Sequence, residues 1–250
     1  MMCSRTLLIV YEIKSKAKHN RERYTGGMCV NFIPPTRQQL LDLFDVEPPQ
    51  LDWPLEVWQD YIAPIIIDNG SGPHALLANY GFVPKRHMPL GIRLSTMNAR
   101  AETIGQLRTY NQSWHAGRRC LVPMQFFFEP CYESGKAERW RIGLASGQPF
   151  AVAGIWRAWP EEDGSISHAF SQVTINADDH PLMRRMHKPG DEKRNLVIIE
   201  PEHYQDWLAC RDPEIARSCL TNYPAEQMLA EPAPKTNKAP PTSGTLDLFS

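Results

Sequence analysis

Two apolar segments near the start of the chain constrain its fold more than any other feature. Residues 61–67 (YIAPIII) and 75–83 (ALLANYGFV) are separated by the turn-forming run Asp68-Asn69-Gly70. Short apolar runs bounded by Gly, Asn and Asp are typical of buried strands. Five further strands are predicted at residues 120–129, 139–144, 150–156, 169–175 and 195–199. The sequence therefore predicts a strand-rich α+β domain with a few helices set around its sheet.

Three helices are predicted from capping residues and apolar spacing. Residues 36–39 (TRQQ) form a capping box ahead of a short helix. Residues 101–115 place four large apolar side chains on one face, and a third helix spans residues 201–210. Asn98 and Arg100 would then lie at the entrance of the second helix, where exposed N–H groups favour anions.

Charged residues are strongly segregated in a chain whose formal net charge is only −1. Residues 80–120 hold seven Lys or Arg against one acidic residue, and a second basic run, residues 184–194, surrounds His187. A local basic face matters more for polyanion binding than the net charge does. A solvated surface explains either run alone, but the two together favour a nucleic-acid partner.

The six cysteines indicate reduced thiols rather than a metal site. They include neither a CxxC pair nor a Cys/His spacing typical of zinc, so we expect no metal and no other cofactor. No apolar run approaches the roughly 18–20 residues of a membrane helix. The apolar stretch at residues 7–11 precedes its basic residues, which is the reverse of a signal peptide. We therefore expect a cytoplasmic protein.

The two ends of the chain differ from its middle. Residues 1–27 form a basic leader without a domain pattern, which we interpret as a misassigned start or a segment that is removed. Residues 28–228 have the size of a domain with a real core. Residues 229–250 are predicted to be a disordered Pro-rich tail. One folded domain between two atypical ends is expected.

Cys29 directly follows Met28, and this position could make it the N-terminal residue of the mature chain. If translation began at Met28, removal of the methionine would leave Cys29 as the first residue. An N-terminal cysteine carries two nucleophiles, an α-amine with a pKa of about 7.7–8.0 and a thiol with a pKa of about 8.5. An internal cysteine has only the thiol.

Four segments together resemble one known family. In chain order they are Met28-Cys29, Asn98–Thr103 (NARAET), Phe126–Pro130 (FFFEP) and Pro181–Met183 leading to His187. This set resembles the SOS-response-associated peptidase (SRAP) family of abasic-site processing proteins, from Met28 to about Pro224. The resemblance implies a compact, strand-rich α+β domain with peripheral helices and a basic channel for single-stranded DNA.

The resemblance also implies a reaction. The α-amine of a terminal Cys29 would condense with the aldehyde of an abasic site, and its thiol would close the imine to a thiazolidine, a stable DNA–protein crosslink. The catalytic residues it implies are Cys29, Asn98, Glu129 and His187, with His187 moving protons. The DNA-binding residues it implies are Lys85, Arg86, Arg100, Arg108 and Thr174.

This sequence departs from the family pattern at three sites near the predicted chemistry. Val30-Asn31 stands where relatives commonly have Gly-Arg. Lys85 and Arg86 occupy positions where relatives often carry an aromatic residue. The segment from His187 to Arg194 is longer than usual. A further departure is that 28 residues precede Cys29, which would block its amine unless the chain starts at Met28 or the leader is removed.

Two alternatives to the crosslinking reading remain open. Cys29 and His187 could act as nucleophile and base of a thiol peptidase, self-processing or otherwise, or the domain could bind single-stranded DNA without catalysis.

Two further expectations concern partners. The tail ends in Leu246, Asp247, Leu248 and Phe249, which resemble a peptide that docks on bacterial sliding clamps. We expect a monomer that is associated with the nucleoid when it acts on DNA.

Overall fold

The computed structural model of the chain describes residues 31–92 and 94–235, and these form a strand-rich α+β fold. The strands are β1 Asn31–Ile33, β2 Val57–Trp58, β3 Ile62–Asp68, β4 Pro73–Tyr80, β5 Asn98–Arg100, β6 Arg119–Met124, β7 Phe126–Cys131, β8 Glu138–Leu144, β9 Phe150–Pro160, β10 Ile166–Asn176, β11 Arg194–Leu196, β12 Ile198–Ile199 and β13 Met228–Pro232. The α-helices are α1 Arg37–Phe44, α2 Asn111–His115, α3 Tyr204–Ala209 and α4 Pro213–Ser218. The predicted fold class is confirmed.

Five of these strands close into a barrel. They pair in the order β10-β4-β3-β6-β9, and β9 pairs back onto β10, so the ring has no free edge. The two apolar segments recognised in the sequence form the antiparallel pair β3–β4, with Ile65 opposite Leu76. Closure is the usual way in which a small sheet satisfies all its edge N–H and C=O groups.

A second sheet packs beside the barrel in the order β13-β8-β7-β1-β2. Its junction with the barrel is a stack of buried rings, in which Phe32 meets Tyr80 edge to face at 5.3 Å and Tyr80 stacks on Phe170 at 5.3 Å. The Tyr80 hydroxyl donates to Oε1 of the buried Gln172 at 3.0 Å. Strand β1 therefore lies between β7 and β2 in its sheet, and its Phe32 packs against the barrel.

The helices are short, and none in the described part of the chain is long and apolar enough to cross a membrane. Helix α1 begins at the predicted capping box. The Thr36 hydroxyl accepts from the Gln39 backbone N–H at 3.2 Å, and Gln39 Oε1 accepts from the Thr36 N–H at 2.8 Å. The helix is capped at its C-terminal end by Asp45, which has a left-handed φ of 51°.

Replacing Thr36 with Ala is expected to lower the free energy of unfolding by about 1 kcal/mol, because the substitution leaves N-terminal N–H groups of α1 without their side-chain acceptor. Denaturant unfolding measures this loss. Gln38→Ala on the exposed face of the same helix is the control and should change the stability by less than about 0.5 kcal/mol. Equal losses in both variants would contradict a role for the capping box.

The segment predicted as a helix at residues 101–115 is helical only in its last turn. Residues 101–110 form successive turns, and the Ala101 N–H donates to the Thr174 carbonyl at 2.9 Å instead of starting a helix. Gly105 is a poor helix former, and a Cβ at this position would lie only 3.1 Å from Cδ1 of Trp114. Asn98 and Arg100 therefore lie on strand β5, not at a helix entrance, and that expectation is wrong.

Two predicted boundaries also differ from the structure. Residues 120–129 form two strands, because the Gln125 N–H donates to the Ile33 carbonyl at 2.8 Å and takes the chain from the barrel into the second sheet. At the C-terminal end, β13 pairs with β8 as far as Pro232, past the boundary predicted at residue 228. Arg139 holds the next residue, since its Nη1 donates to the Ala233 carbonyl at 3.2 Å.

Candidate functional site

His187 is placed by contacts with β7. An isolated antiparallel bridge joins Met186 to Cys131, and the His187 N–H donates to the Pro130 carbonyl at 2.8 Å. His187 has a left-handed φ of 62°, a conformation that non-glycine residues seldom adopt and that is enriched at functional sites. The backbone is thus held so that the imidazole lies next to Glu129.

His187 and Glu129 form a buried pair, with 3.4 Å between Nδ1 and Oε2 and side chains only 2% and 4% exposed. The other imidazole nitrogen, Nε2, lies 3.0 Å from the carbonyl oxygen of Arg194. A carbonyl can only accept, so Nε2 carries the hydrogen and donates. Nδ1 therefore faces the Glu129 carboxyl, and two such groups side by side are suited to acid–base chemistry.

Arg194, which the sequence left outside the predicted site, holds this region together. It is buried, and its guanidinium donates to both carboxylate oxygens of Glu102 at 2.9 Å each. It also donates to the Thr174 carbonyl at 2.7 Å and to Glu192 Oε1 at 2.8 Å. Burial alone would raise the pKa of Glu102, but the hydrogen bonds and charge of Arg194 keep it below its ordinary value.

Strands β5, β10 and β11 bring three predicted residues to this cluster. Asn98 and Arg100 are opposite Gln172 and Thr174 in the parallel β5–β10 pair, and β11 covers the other side of Thr174. Asn98 and Thr174 are buried. The Thr174 hydroxyl lies 3.2 Å from Arg194 Nη2 and the Arg100 guanidinium reaches Glu192, so both border the His187 region.

Lys85 and Arg86 lie elsewhere, on a short 3₁₀ turn, Lys85–His87. Arg86 forms an ion pair with Glu161 at 2.7 Å, and Ser167 and His87 also contact that carboxylate. Hydrogen bonds from Arg86, Ser167 and His87 lower the pKa of Glu161 to about 2. Glu161 is therefore ionised near neutral pH, and it offsets the charge of Arg86. A DNA contact for these two residues stays a prediction.

The remaining predicted residues divide between an exposed turn and the chain ends. Arg108 is exposed within residues 101–110. Cys29 and the residues Leu246, Asp247, Leu248 and Phe249 lie outside the described residues, as do the whole leader and the tip of the tail. Cys120 and Cys131 are buried free thiols, in agreement with a structural role, whereas Cys219 is exposed.

The basic run at residues 80–120 does not form one continuous surface. Arg119 is buried and lies over the ring of Trp114 at 3.9 Å and that of Trp207 at 5.5 Å. Burial lowers its pKa to about 10. Arg118 lies over Trp156 at 5.8 Å. The count of basic residues in this run could not distinguish an arginine in the core from arginines on the surface.

A groove of about 620 Å³ opens beside His187. Its lining includes Tyr132, Arg184, Arg185, Pro189, Gly190 and Lys193. Arg185 is neutralised by a two-point ion pair with Glu133, while Lys193 Nζ donates to the His187 carbonyl at 3.2 Å. Among the described residues, no group of three or more His, Cys, Asp or Glu side chains could hold a metal ion. Asp178 and Glu133 also line the groove, so its three Arg and Lys side chains exceed its acidic ones by one. The groove is therefore weakly basic, and it lies next to His187.

Comparison with known proteins gives consistent matches. The "SOS response associated peptidase (SRAP)" family model matches residues 2–238. Two Bacillus subtilis relatives are named abasic site processing proteins: YobE is 29% identical over 168 residues (66% of this chain, 73% of YobE), and YoaM is 27% identical over 183 residues (70% of this chain, 77% of YoaM).

Solved structures agree with these sequence matches. A Bordetella bronchiseptica protein has a TM-score of 0.73 and 30% identity, covering 82% of this chain and 99% of that one. A Bacteroides thetaiotaomicron protein has a TM-score of 0.62 and 22% identity, covering 81% and 90%, and shares the fold. Since the family model spans nearly the whole sequence, the chain belongs to the SOS response associated peptidase (SRAP) family.

Proposed function

We propose that this protein processes abasic sites in DNA, and that it does so by forming a thiazolidine crosslink through Cys29 as the first residue of the mature chain. The main support is the buried His187–Glu129 pair, which lies beside the strand that begins two residues after Cys29. The relatives named abasic site processing proteins support the substrate.

Covalent geometry limits how far Cys29 can be from this pair. Consecutive Cα atoms are about 3.8 Å apart, so the Cα of Cys29 is within about 7.6 Å of the Cα of Asn31. Strand β1 runs antiparallel to β7, with Phe32 opposite Phe127. Moving backwards along β1 therefore corresponds to moving forwards along β7, towards Glu129. The amine and thiol of Cys29 can reach a sugar held against Glu129 and His187.

The reaction follows from ordinary carbonyl chemistry. The α-amine attacks the aldehyde carbon of the open abasic sugar, and loss of one water leaves an imine. The thiol then adds to the imine carbon: a C–S bond forms, and the nitrogen regains a proton. The opening of the sugar, the loss of water and the addition all need a proton moved locally. The His187–Glu129 pair supplies a group that can accept or donate it.

The DNA backbone on either side of the abasic sugar needs a positively charged protein surface. Arg100 on β5 reaches Glu192, which also contacts Arg194, and Arg184 and Lys193 line the groove beside His187. Arginine binds phosphate oxygens by charge-assisted hydrogen bonds that fix the position of the backbone without reading sequence. This surface suits single-stranded DNA, whose unstacked backbone can enter a narrow site.

Intact-mass measurement of protein made from its native upstream region, after incubation with single-stranded DNA carrying one abasic site, tests the proposal. We expect a mature chain that begins at Cys29 and a product whose mass is protein plus strand less one water. A chain that retains residues 1–28 and still forms a stable adduct would exclude thiazolidine chemistry. A retained leader without an adduct would favour the peptidase or the non-catalytic binding alternative.

A further inference from the structure

The carboxylate of Glu192 occupies the place next to Arg100 where an anionic ligand would bind. Its Oε2 lies 2.5 Å from Arg100 Nη1, and its Oε1 lies 2.8 Å from Arg194 Nη1. Asn176 Nδ2 donates to the same Oε1 at 3.3 Å. One carboxylate thus bridges two guanidinium groups beside the His187 region.

We propose that Glu192 is a specificity determinant that competes with the DNA phosphate for Arg100, so that undamaged strands bind weakly and dissociate. This inference rests on the proposed function. An undamaged DNA strand is held only by reversible contacts, and a competing carboxylate weakens the total binding free energy of those contacts. An abasic strand becomes trapped covalently, so the same competition costs it little once the crosslink has formed.

Glu192 does not occupy all the hydrogen-bond donors of Arg100. Its ion pair uses Nη1, and its Nε is buried without an acceptor among the described residues. A phosphate can bind a guanidinium with two parallel hydrogen bonds. Because Nε is shielded from solvent, a phosphodiester that displaces Glu192 would bind Arg100 through its Nη groups, where the carboxylate now lies.

Displacement of Glu192 would leave the rest of the cluster intact. Arg194 keeps both hydrogen bonds to Glu102 and its bond to the Thr174 carbonyl. The loop that carries Glu192 is fixed separately, because the Lys193 N–H donates to Asp178 Oδ1 at 2.8 Å. The Glu192 side chain is 35% exposed. It can thus rotate towards solvent without unfolding the loop.

Glu192 belongs to the segment between His187 and Arg194. This segment forms an exposed turn at Lys188, Pro189 and Gly190, closed by a hydrogen bond from the Asp191 N–H to the Lys188 carbonyl at 3.1 Å. The turn leads directly into Glu192 and so places its carboxylate next to Arg100 of β5.

The test measures the affinity for an undamaged oligothymidine by fluorescence anisotropy over a range of salt concentrations. We expect Glu192→Gln to lower the Kd about three- to tenfold at low salt, within the range of site-to-site couplings. The slope of log Kd against log salt should steepen by about 0.7, equivalent to one more phosphate contact on a single strand. An unchanged Kd and slope would overturn the proposal.

Two controls separate competition at Arg100 from a general change of charge. Glu231→Gln makes the same charge change at another exposed ion pair, with Arg141 on the second sheet, and should leave the Kd within about 1.5-fold of wild type. In an Arg100→Ala background, Glu192→Gln should no longer lower the Kd. Equal gains in both carboxylate variants, or a gain that persists without Arg100, would contradict the proposal.

The result of this experiment does not depend on the crosslinking proposal, because binding of undamaged DNA needs no reaction at Cys29. If wild type forms no crosslink but Glu192→Gln tightens binding through Arg100, competition stands and the thiazolidine proposal falls. If wild type crosslinks and Glu192→Gln changes nothing, only the competition falls. No binding of oligothymidine by either protein would overturn the competition.

Discussion

A Cys29→Ala variant is expected to form no adduct with abasic single-stranded DNA that survives denaturation, while its non-covalent affinity for the strand stays within about twofold of wild type. Its α-amine can still condense with the aldehyde, but without the thiol the imine is not closed and hydrolyses back. Denaturing gel electrophoresis of the reaction mixture measures the adduct. Borohydride, which reduces imines, should restore a crosslinked band in the variant.

The matched control is Cys219→Ala, which removes an exposed free thiol outside the predicted site. It should crosslink at the wild-type rate, because thiol chemistry elsewhere on the surface plays no part. A denaturation-stable adduct formed by Cys29→Ala without borohydride would transfer the role of nucleophile to another residue, with lysine the first candidate. Loss of binding as well as crosslinking in Cys29→Ala would indicate a structural role for Cys29.

The fold could be predicted well where apolar runs are short and bounded by turn residues. The β3–β4 pair and the Thr36 capping box were predicted from local sequence alone, since both depend on neighbours in the chain. Residues 101–110 show where local patterns fail. Their apolar spacing did place Ile104, Tyr110 and Trp114 in the core, but Leu107 is exposed. The contact of Ala101 with Thr174, far away in sequence, replaced the helix with turns.

The candidate site shows the same limit. Glu129, implied by the family resemblance, follows three phenylalanines and is buried. The partners that orient the site could not be predicted, because Arg194, Glu102 and Glu192 meet only when β5, β10 and β11 pair. The sequence did offer one signal for a partner of this kind. Glu102 is the single acidic residue among seven basic ones at residues 80–120.

These long-range contacts also fix the position of the His187 imidazole. Nε2 of His187 is committed to the Arg194 carbonyl, and Arg194 is itself fixed by Glu102 and Thr174. The imidazole therefore cannot turn to expose Nε2, and proton exchange is limited to Nδ1 and Glu129. An acid–base role for the pair thus requires both of its members.

Glu129→Gln is accordingly expected to slow crosslink formation by about 10²- to 10⁴-fold, the usual contribution of a positioned acid–base group. Glutamine keeps the shape of the side chain and can donate its amide N–H to Nδ1, which would hold His187 neutral without a carboxylate to exchange its proton. Binding of undamaged DNA should change by less than about threefold, since Glu129 is buried and is not a phosphate ligand. Rapid mixing followed by denaturing electrophoresis gives the rate.

Glu231→Gln is the control, because it neutralises an exposed carboxylate that is paired with Arg141 on the second sheet, outside the groove; its crosslinking rate should stay within about twofold of wild type. A double-mutant cycle then separates chemistry from packing. If the pair acts as one unit, adding His187→Gln to Glu129→Gln should slow the reaction little further. Rates that multiply, or a wild-type rate in Glu129→Gln, would show that the pair does not transfer the proton and that its role is to hold β7 against the segment carrying His187.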